Sequence, residues 1–236
     1  MENDQQRVPV RSMEEELICP ILLELPLEPV MAEDGYVYEK RAIQKYFTAS
    51  KVSSDMIRSP MTNEMIGKKL LPAWQTNNTI EAAIENGYIS QPLLERWNTR
   101  LQEQADVRKL LTSAEDGNVL CMEMVGHGFC HAKLGFPKDM EAAYKWYDKA
   151  RIAGSVVGMT AVGDFLHKGV GVEQNKTMGL MYLCLAAEKG SDYAAFWLGQ
   201  SLAKGENGMI ADVVQAKKWL RQSLGEDCNN TKMMGK

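Results

Sequence analysis

Glu16 to Phe47 reads ELICPILLELPLEPVMAEDGYVYEKRAIQKYF, and this stretch decides how the first third of the chain folds. Its centre holds two short runs of strand formers, Pro29 to Ala32 and Tyr36 to Tyr38, on either side of Asp34-Gly35. That dipeptide accepts the positive φ of a tight hairpin turn. After the hairpin, Ala42, Ile43, Tyr46 and Phe47 recur at helical spacing, so a helix should lay its apolar stripe back on the two strands. Before it, Ile18, Ile21, Leu22, Leu23, Leu25 and Leu27 occupy both alternating registers. Either some of them form an exposed patch for a partner, or all are core.

Working outward, MENDQQRVPVRSM at residues 1–13 is polar and reads as a flexible N-terminus. Downstream come a polar loop, Ser50 to Asp55, a Ser59-Pro60 turn within RSPMTN, and a third short strand in KKLLP. The next segment, TNNTIEAAIENGY, predicts a helix with Asn78 as N-cap, Glu81 completing a capping box, and Gly87 as its stop. Residues 14–89 thus form a small α+β domain. Cores of about 75 residues are marginal, and such domains commonly add zinc or disulfides. This one has Cys19 alone and no histidine, so polar contacts must substitute, with Glu24, Asp34, Glu39, Arg41, Arg58 and Ser59 as the candidates. Residues 90–114 read as a charged helical linker or cap carrying Leu94, Trp97 and Leu101 on one stripe. That stripe could link, cap the next domain, or form the seam of a homodimer.

From residue 115 the pattern changes to a repeat. Gly126, Gly163 and Gly199 are 37 and 36 residues apart, Trp146, Tyr182 and Trp219 are 36 and 37 apart, and Ala150, Ala186 and Ser223 keep step. Each unit reads as a helix with a small residue at a close-packing position, a Gly-containing turn, and a second helix. Three such units over 115–225 predict an all-α solenoid whose inner face binds partners, with residues 226–236 a flexible tail.

The chain has 236 residues, is 45 % hydrophobic and 25 % charged, and carries a net charge of -4, the profile of an ordinary globular protein. That balance gives no general attraction to nucleic acid or anionic membrane, and no apolar run approaches a membrane span. Five irregularly spaced cysteines fit reduced thiols, and a cytoplasmic or nuclear protein is expected. His127 and His131 have metal-ligand spacing around Cys130, with Cys121 upstream, but further ligands are not evident, so no metal or other cofactor is expected. Cys19 sits in an apolar run with no histidine before residue 127, and reads as a structural thiol rather than a nucleophile. Trp146, Tyr182 and Trp219 read as inter-helix packing, and no catalytic residue is visible.

Taken together, CPILLE, EPV, DGYVYEKRAIQKYF, SPMTNEMI and LLPAWQTNNTIEAAIENG, in this order, resemble the U-box, the zinc-free relative of the RING domain found in ubiquitin-protein ligases. The repeats resemble the Sel-one-like family of tetratricopeptide-related repeats, best in VGDFLHKGVGVEQN and YLCLAAEKG. The resemblance implies a ligase that binds charged ubiquitin-conjugating enzyme and ubiquitin without a covalent intermediate, while the repeats hold a substrate or adaptor. It places Ile21 and Leu23 of the first loop, Pro60 of the second, and Tyr46 at the helix end in the groove for the conjugating enzyme. Many active relatives carry Arg or Lys where this chain has Asn63, making Asn63 the candidate for positioning ubiquitin, with Arg58 or Lys68 as possible substitutes. The rival reading is a non-catalytic adaptor with a U-box-like fold, which Asn63 favours.

Overall fold

The computed structural model describes residues 12–49 and 56–225. The expected flexible segment up to Arg11, the polar loop 50–55, Cys228 and the tail from residue 226 lie outside the described residues. The chain divides into two compact units, Met1–Glu103 and Gln104–Lys236. Among the described residues no helix is long and apolar enough to cross a membrane.

The first unit is α+β. Helix α1 (Met13–Leu17) is closed by a capping box, in which the Ser12 hydroxyl accepts from Glu15 N–H and the Glu15 carboxylate accepts from Ser12 N–H. Strands β1 (Pro29–Met31) and β2 (Val37–Glu39) form the expected hairpin, and Gly35 at its turn has φ of 79°. Helix α2 (Lys40–Ala49) buries Ile43 and Phe47 against this hairpin, as its spacing predicts. A second hairpin, β3 (Met56–Arg58) with β4 (Met65–Gly67), was not legible in the sequence, where its residues read only as a turn. Strand β5 (Leu71–Pro72), foreseen in KKLLP, pairs antiparallel with β1 and completes a sheet of order β2-β1-β5.

Helix α3 (Trp74–Glu85) starts earlier than the sequence implies. Its N-cap is Ala73, which makes no side-chain capping bond. Asn78 lies inside the helix, and Glu81 accepts instead from the Asn77 amide at 2.9 Å. Chain continuity with β5 sets the helix start here, overriding capping preference. Gly87, at φ of 71°, stops the helix as expected.

Two apolar clusters hold this unit. One gathers Cys19, Val30, Tyr38, Ile43, Phe47, Ile57 and Ile66 between the hairpins and α2. The other joins Leu17, Leu25, Ile80, Ala83, Ile89 and Leu93, with Leu94 and Trp97 packed against it. Helix α4 (Gln91–Glu115) runs across the division between the units. Its first turns belong to the second cluster, so Leu94 and Trp97 are used inside the first unit, while Leu101 is exposed. Its later residues Val107, Leu110, Leu111 and Ala114 pack in the second unit.

The second unit is a solenoid of three helical pairs: α5 (Val119–His131) with α6 (Met140–Ile152), α7 (Val156–Lys168) with α8 (Lys176–Glu188), and α9 (Asp192–Lys204) with α10 (Val213–Ser223). Asn118, Ser155 and Ser191 cap the first helices, and Asp139, Asn175 and Asp212 the second. The repeat glycines make one contact three times. A Cβ at Gly126 would lie 3.1 Å from the Tyr147 ring, at Gly163 2.9 Å from Leu183, and at Gly199 2.7 Å from Leu220. Each partner follows the aromatic landmark by one residue, so the glycine is what lets paired helices approach. Successive first helices are also joined, as the N-cap hydroxyl of Ser155 donates to Glu123 and that of Ser191 lies 2.8 Å from the Thr160 hydroxyl.

Repeat one departs at a helix end. Ala132 adopts φ of 52° where repeats two and three place Gly169 and Gly205 in the same left-handed cap. A Cβ there costs about 1 kcal/mol. Ala132→Gly is expected to raise the second unit's stability by about that amount, and Gly163→Ala to lower it by about 2 kcal/mol through overpacking against α8. Thermal melting of the two variants beside the parent checks both signs.

Candidate functional surface

The surface is built from two loops with one backbone design. In the first, Cys19–Glu24, Cys19 N–H donates to Glu24 C=O at 2.9 Å and Leu23 N–H to Cys19 C=O at 2.8 Å. In the second, Ser59–Glu64, Ser59 N–H donates to Glu64 C=O at 2.8 Å and Asn63 N–H to Ser59 C=O at 3.1 Å. Proline follows the first residue of both loops, and the fifth residue of both is left-handed, Leu23 at φ of 57° and Asn63 at 60°. Asparagine tolerates that region, whereas a leucine there carries strain of about 1 kcal/mol.

What fixes each loop is the side chain of its first residue. Cys19, fully buried, accepts the Glu39 N–H on its sulfur at 3.1 Å. It is a structural thiol, as its apolar surroundings imply. Ser59 accepts from the N–H groups of Met61 and Thr62 at 3.0 and 2.9 Å, and donates its own proton to Asp34 at 2.6 Å. The Asp34 carboxylate also accepts from the Tyr38 hydroxyl at 2.7 Å and from Tyr36 N–H at 3.0 Å. Burial, and next the bond to Asp34, push the Tyr38 phenol well above its ordinary value, so it remains a donor at physiological pH.

A second carboxylate anchors the first loop. Glu39 is only 2 % exposed, and its carboxylate accepts from Leu27 and Glu28 N–H at 2.7 and 3.3 Å. Arg100 of α4 reaches it at 3.2 Å, and donates to Leu25 C=O at 2.9 Å while pairing with Glu24 at 3.2 Å. Sequence reasoning foresaw bonding roles for Glu24, Asp34, Glu39, Arg58 and Ser59, but it also named Arg41, which is exposed and outside this network, and it missed Arg100. The cation lies 61 residues from its main partner on a helix read as a linker, so no local pattern could flag it.

The predicted groove residues lie around these loops. Ile21 is half-buried against the cluster under the hairpins, and Tyr46 packs on the same cluster. The Tyr46 hydroxyl donates to Arg58 C=O at 3.1 Å, tying the end of α2 to the strand that enters the second loop. Pro60 is half-buried, with Met61 exposed beside it. Leu23 is 68 % exposed and Leu22 is exposed too, whereas Leu25 is buried. The apolar surplus of the opening stretch therefore divides, and part of it does form a surface patch. A strained, solvent-facing leucine gains nothing for the core, and such outliers mark functional positions. Asn63 is exposed, and its C=O accepts from the Arg58 guanidinium at 2.9 Å, which brings a cation to the tip of the loop.

In the second unit, the His127 and His131 rings lie 4.5 Å apart between centroids, tilted by 44°. Burial, and next the neighbouring His131, lower the His127 pKa. Among the described residues no group of three or more His, Cys, Asp or Glu side chains is placed to hold a metal. Burial raises the thiol pKa of Cys130 and Cys184, which makes both poor nucleophiles. Trp146 and Trp219 pack into inter-helix clusters as expected, and Tyr182 does likewise. The first helices expose Leu120, Val157 and Tyr193, which occupy equivalent positions of the three repeats.

Comparison with known proteins agrees with this architecture. Residues 14–86 match the family model of the U-box domain, and residues 120–155, 156–191 and 192–224 each match that of the Sel1 repeat. A probable bifunctional E2/E3 enzyme of Acanthamoeba polyphaga mimivirus is 34 % identical over 93 residues, covering 36 % of this chain and 7 % of that protein. The Homo sapiens WD repeat, SAM and U-box domain-containing protein 1 is 36 % identical over 85 residues, covering 34 % of this chain and 16 % of its own length. The chain thus spans only a small part of the curated relatives it matches. A Sel1 repeat protein from Oxalobacter formigenes aligns at a TM-score of 0.46 and 21 % identity, over 50 % of this chain and 89 % of that structure.

Asp34→Ala is expected to cost the first unit about 3 kcal/mol, because it strands the buried Tyr38 and Ser59 hydroxyls. Leu23→Gly is expected to be neutral or to stabilise by about 1 kcal/mol through relief of the left-handed strain. Urea unfolding followed by tyrosine and tryptophan fluorescence measures both.

Proposed function

The chain carries a U-box domain over residues 14–86 followed by three Sel1 repeats over 120–224, and from this we propose that it is a ubiquitin-protein ligase. The U-box receives a ubiquitin-conjugating enzyme charged with ubiquitin as a thioester, and the repeats hold the substrate or an adaptor. The observation that carries this reading is the pair of matched loops on buried first residues, of which the first exposes Leu22 and Leu23 beside half-buried Ile21 and the second exposes Met61 beside half-buried Pro60. Tyr46 borders the same surface through its bond to Arg58 C=O, at the entry to the second loop. Rate acceleration comes from raising the effective concentration of a substrate lysine beside the thioester and from restraining ubiquitin in a reactive pose. No side chain of this protein needs to be acylated.

At the second loop, Arg58 supplies the charge that Asn63 lacks. Its guanidinium is held beside the Asn63 carbonyl, and its N–H groups beyond that bond are donors suited to ubiquitin. Charge-assisted bonds are about twice as strong as neutral ones, so this placement offsets the missing cation at position 63. The row Leu120, Val157 and Tyr193 supports the substrate-holding role, because the three repeats expose an apolar or aromatic side chain at the same position of their first helices.

Discharge of charged conjugating enzymes onto free lysine tests the reading. Acceleration by the parent chain is expected, with a loss of at least about tenfold in Ile21→Ala, Leu23→Gly and Pro60→Ala. A folded chain that binds conjugating enzyme without speeding discharge from any of a broad panel would instead establish the adaptor. Arg58→Ala is expected to slow discharge severalfold, and Asn63→Arg to restore it in that background. An Arg58→Ala variant as fast as the parent would remove Arg58 from the site.

A further inference from the structure

The second helices of the three repeats are equivalent in backbone, but they differ on the side turned to solvent. On α8, Met178, Met181 and Leu185 are 43, 46 and 38 % exposed and fall at i, i+3 and i+7. They form one stripe about 10 Å long along the helix. The equivalent residues of α6 are Ala142, Lys145 and Lys149, and those of α10 are Gln215, Lys218 and Gln222. Two of the three repeats therefore fold with polar side chains at most of these positions, and the repeat architecture does not require the apolar stripe. It is a property of the middle repeat alone.

The neighbouring second helices carry lysines at the positions equivalent to the stripe, Lys145 and Lys149 on α6 and Lys218 on α10. The three second helices lie side by side, with the Arg151 guanidinium of α6 4.8 Å from the Tyr182 ring of α8, and the Gln222 amide of α10 donating to Ala187 C=O at 2.7 Å. On α6, Lys145 is paired with Glu141 and Arg151 with Asp148, whereas Lys149 lies over the Trp146 ring at 3.9 Å. On α10, Lys217, Lys218 and Arg221 are exposed. Among the described residues none of Lys149, Lys217, Lys218 and Arg221 is held in an ion pair. Glu188, at the end of α8, is the acid nearest the stripe in sequence. Basic flanks on both sides stand out in a chain whose net charge is -4.

We propose that this face of the middle repeat docks an acidic amphipathic helix of a partner protein. The partner's apolar residues at i, i+3 or i+4, and i+7 lie along Met178, Met181 and Leu185, and its flanking Asp and Glu side chains meet Lys149 on one side and Lys218 on the other. Methionine suits such a seat, because its unbranched, polarisable side chain adapts to the knobs of an incoming helix. A second copy of this chain is the wrong occupant. A two-fold pairing of this face would bring the lysines of one copy against those of the other, and like charges brought together across an interface oppose association.

The probe is a fluorescent synthetic helix of about five turns, with leucines at that spacing and glutamates on both flanks, titrated with the whole chain and followed by anisotropy. Saturable binding is expected. It should weaken at least about tenfold in Met181→Lys, a substitution the fold tolerates because lysine is native there in the other two repeats, and comparably in the double variant Lys149→Glu with Lys218→Glu. A peptide with lysine flanks should not bind. The proposal is overturned if Met181→Lys binds as the parent does, or if the lysine-flanked peptide binds equally. It is also overturned if sedimentation shows a dimer that Met181→Lys dissociates, or if binding to phosphatidylcholine–phosphatidylserine vesicles is what Met181→Lys removes. Lysine discharge should be unchanged in Met181→Lys, which separates this test from that of the ligase reading.

Discussion

The Asp34 carboxylate accepts hydrogen bonds from three directions, the Tyr36 amide, the Tyr38 phenol and the Ser59 hydroxyl, and so ties the first hairpin to a loop 25 residues further along the chain. At the far end of the same hairpin, Glu39 does the equivalent for the first loop. Its amide meets the Cys19 sulfur, and its carboxylate gathers the Leu27 and Glu28 amides and the Arg100 guanidinium. One hairpin therefore supplies both anchors of the loop pair. A domain this small has little apolar area with which to hold surface loops rigid. Charge-assisted and buried hydrogen bonds fix them instead, because breaking one strands its partners away from water.

Rigid bases permit strained tips. Leu23 sits left-handed and exposed because the bonds on either side of it, from Cys19 to Glu24 and back, over-determine the turn. The matching position in the second loop is Asn63, whose carbonyl holds Arg58 in place. The loops are alike in backbone and unlike in what they present, one apolar and one polar with a cation beside it.

The solenoid is held together differently. Its repeated features are a glycine that lets two helices touch, a capping side chain at the start of every helix after α4, and a hydroxyl that joins each first helix to the next. Because these features recur at fixed positions, departures from them stand out. Ala132 in a left-handed cap is a departure that costs stability. Met178, Met181 and Leu185, where the sister repeats carry mostly polar residues, are a departure that packing does not explain.

Much of this was readable from local pattern. The Asp34-Gly35 turn, the Ile43 and Phe47 stripe of α2 and the Gly87 stop rest on residues within a few positions of one another, where backbone preference and amphipathic spacing act directly, and the repeats were readable because the same local pattern recurs at 36 and 37 residues. The β3–β4 hairpin was not readable, because three-residue strands with methionines facing solvent show no alternation. They exist because Ile57 and Ile66 drop into a cluster assembled by other segments. The start of α3 was misplaced because asparagines that favour a cap were overruled by the strand that delivers the chain to Ala73. By itself, then, the sequence determined the two kinds of architecture, the loop positions and the residue types at their tips, since turn chemistry and periodicity are local. Tertiary structure alone decided which carboxylate anchors which loop, that Arg100 joins Glu39 to Glu24, and which leucines of the opening stretch face water. Those outcomes depend on contacts between residues far apart in the chain, whose free energy appears only once the intervening segments have packed.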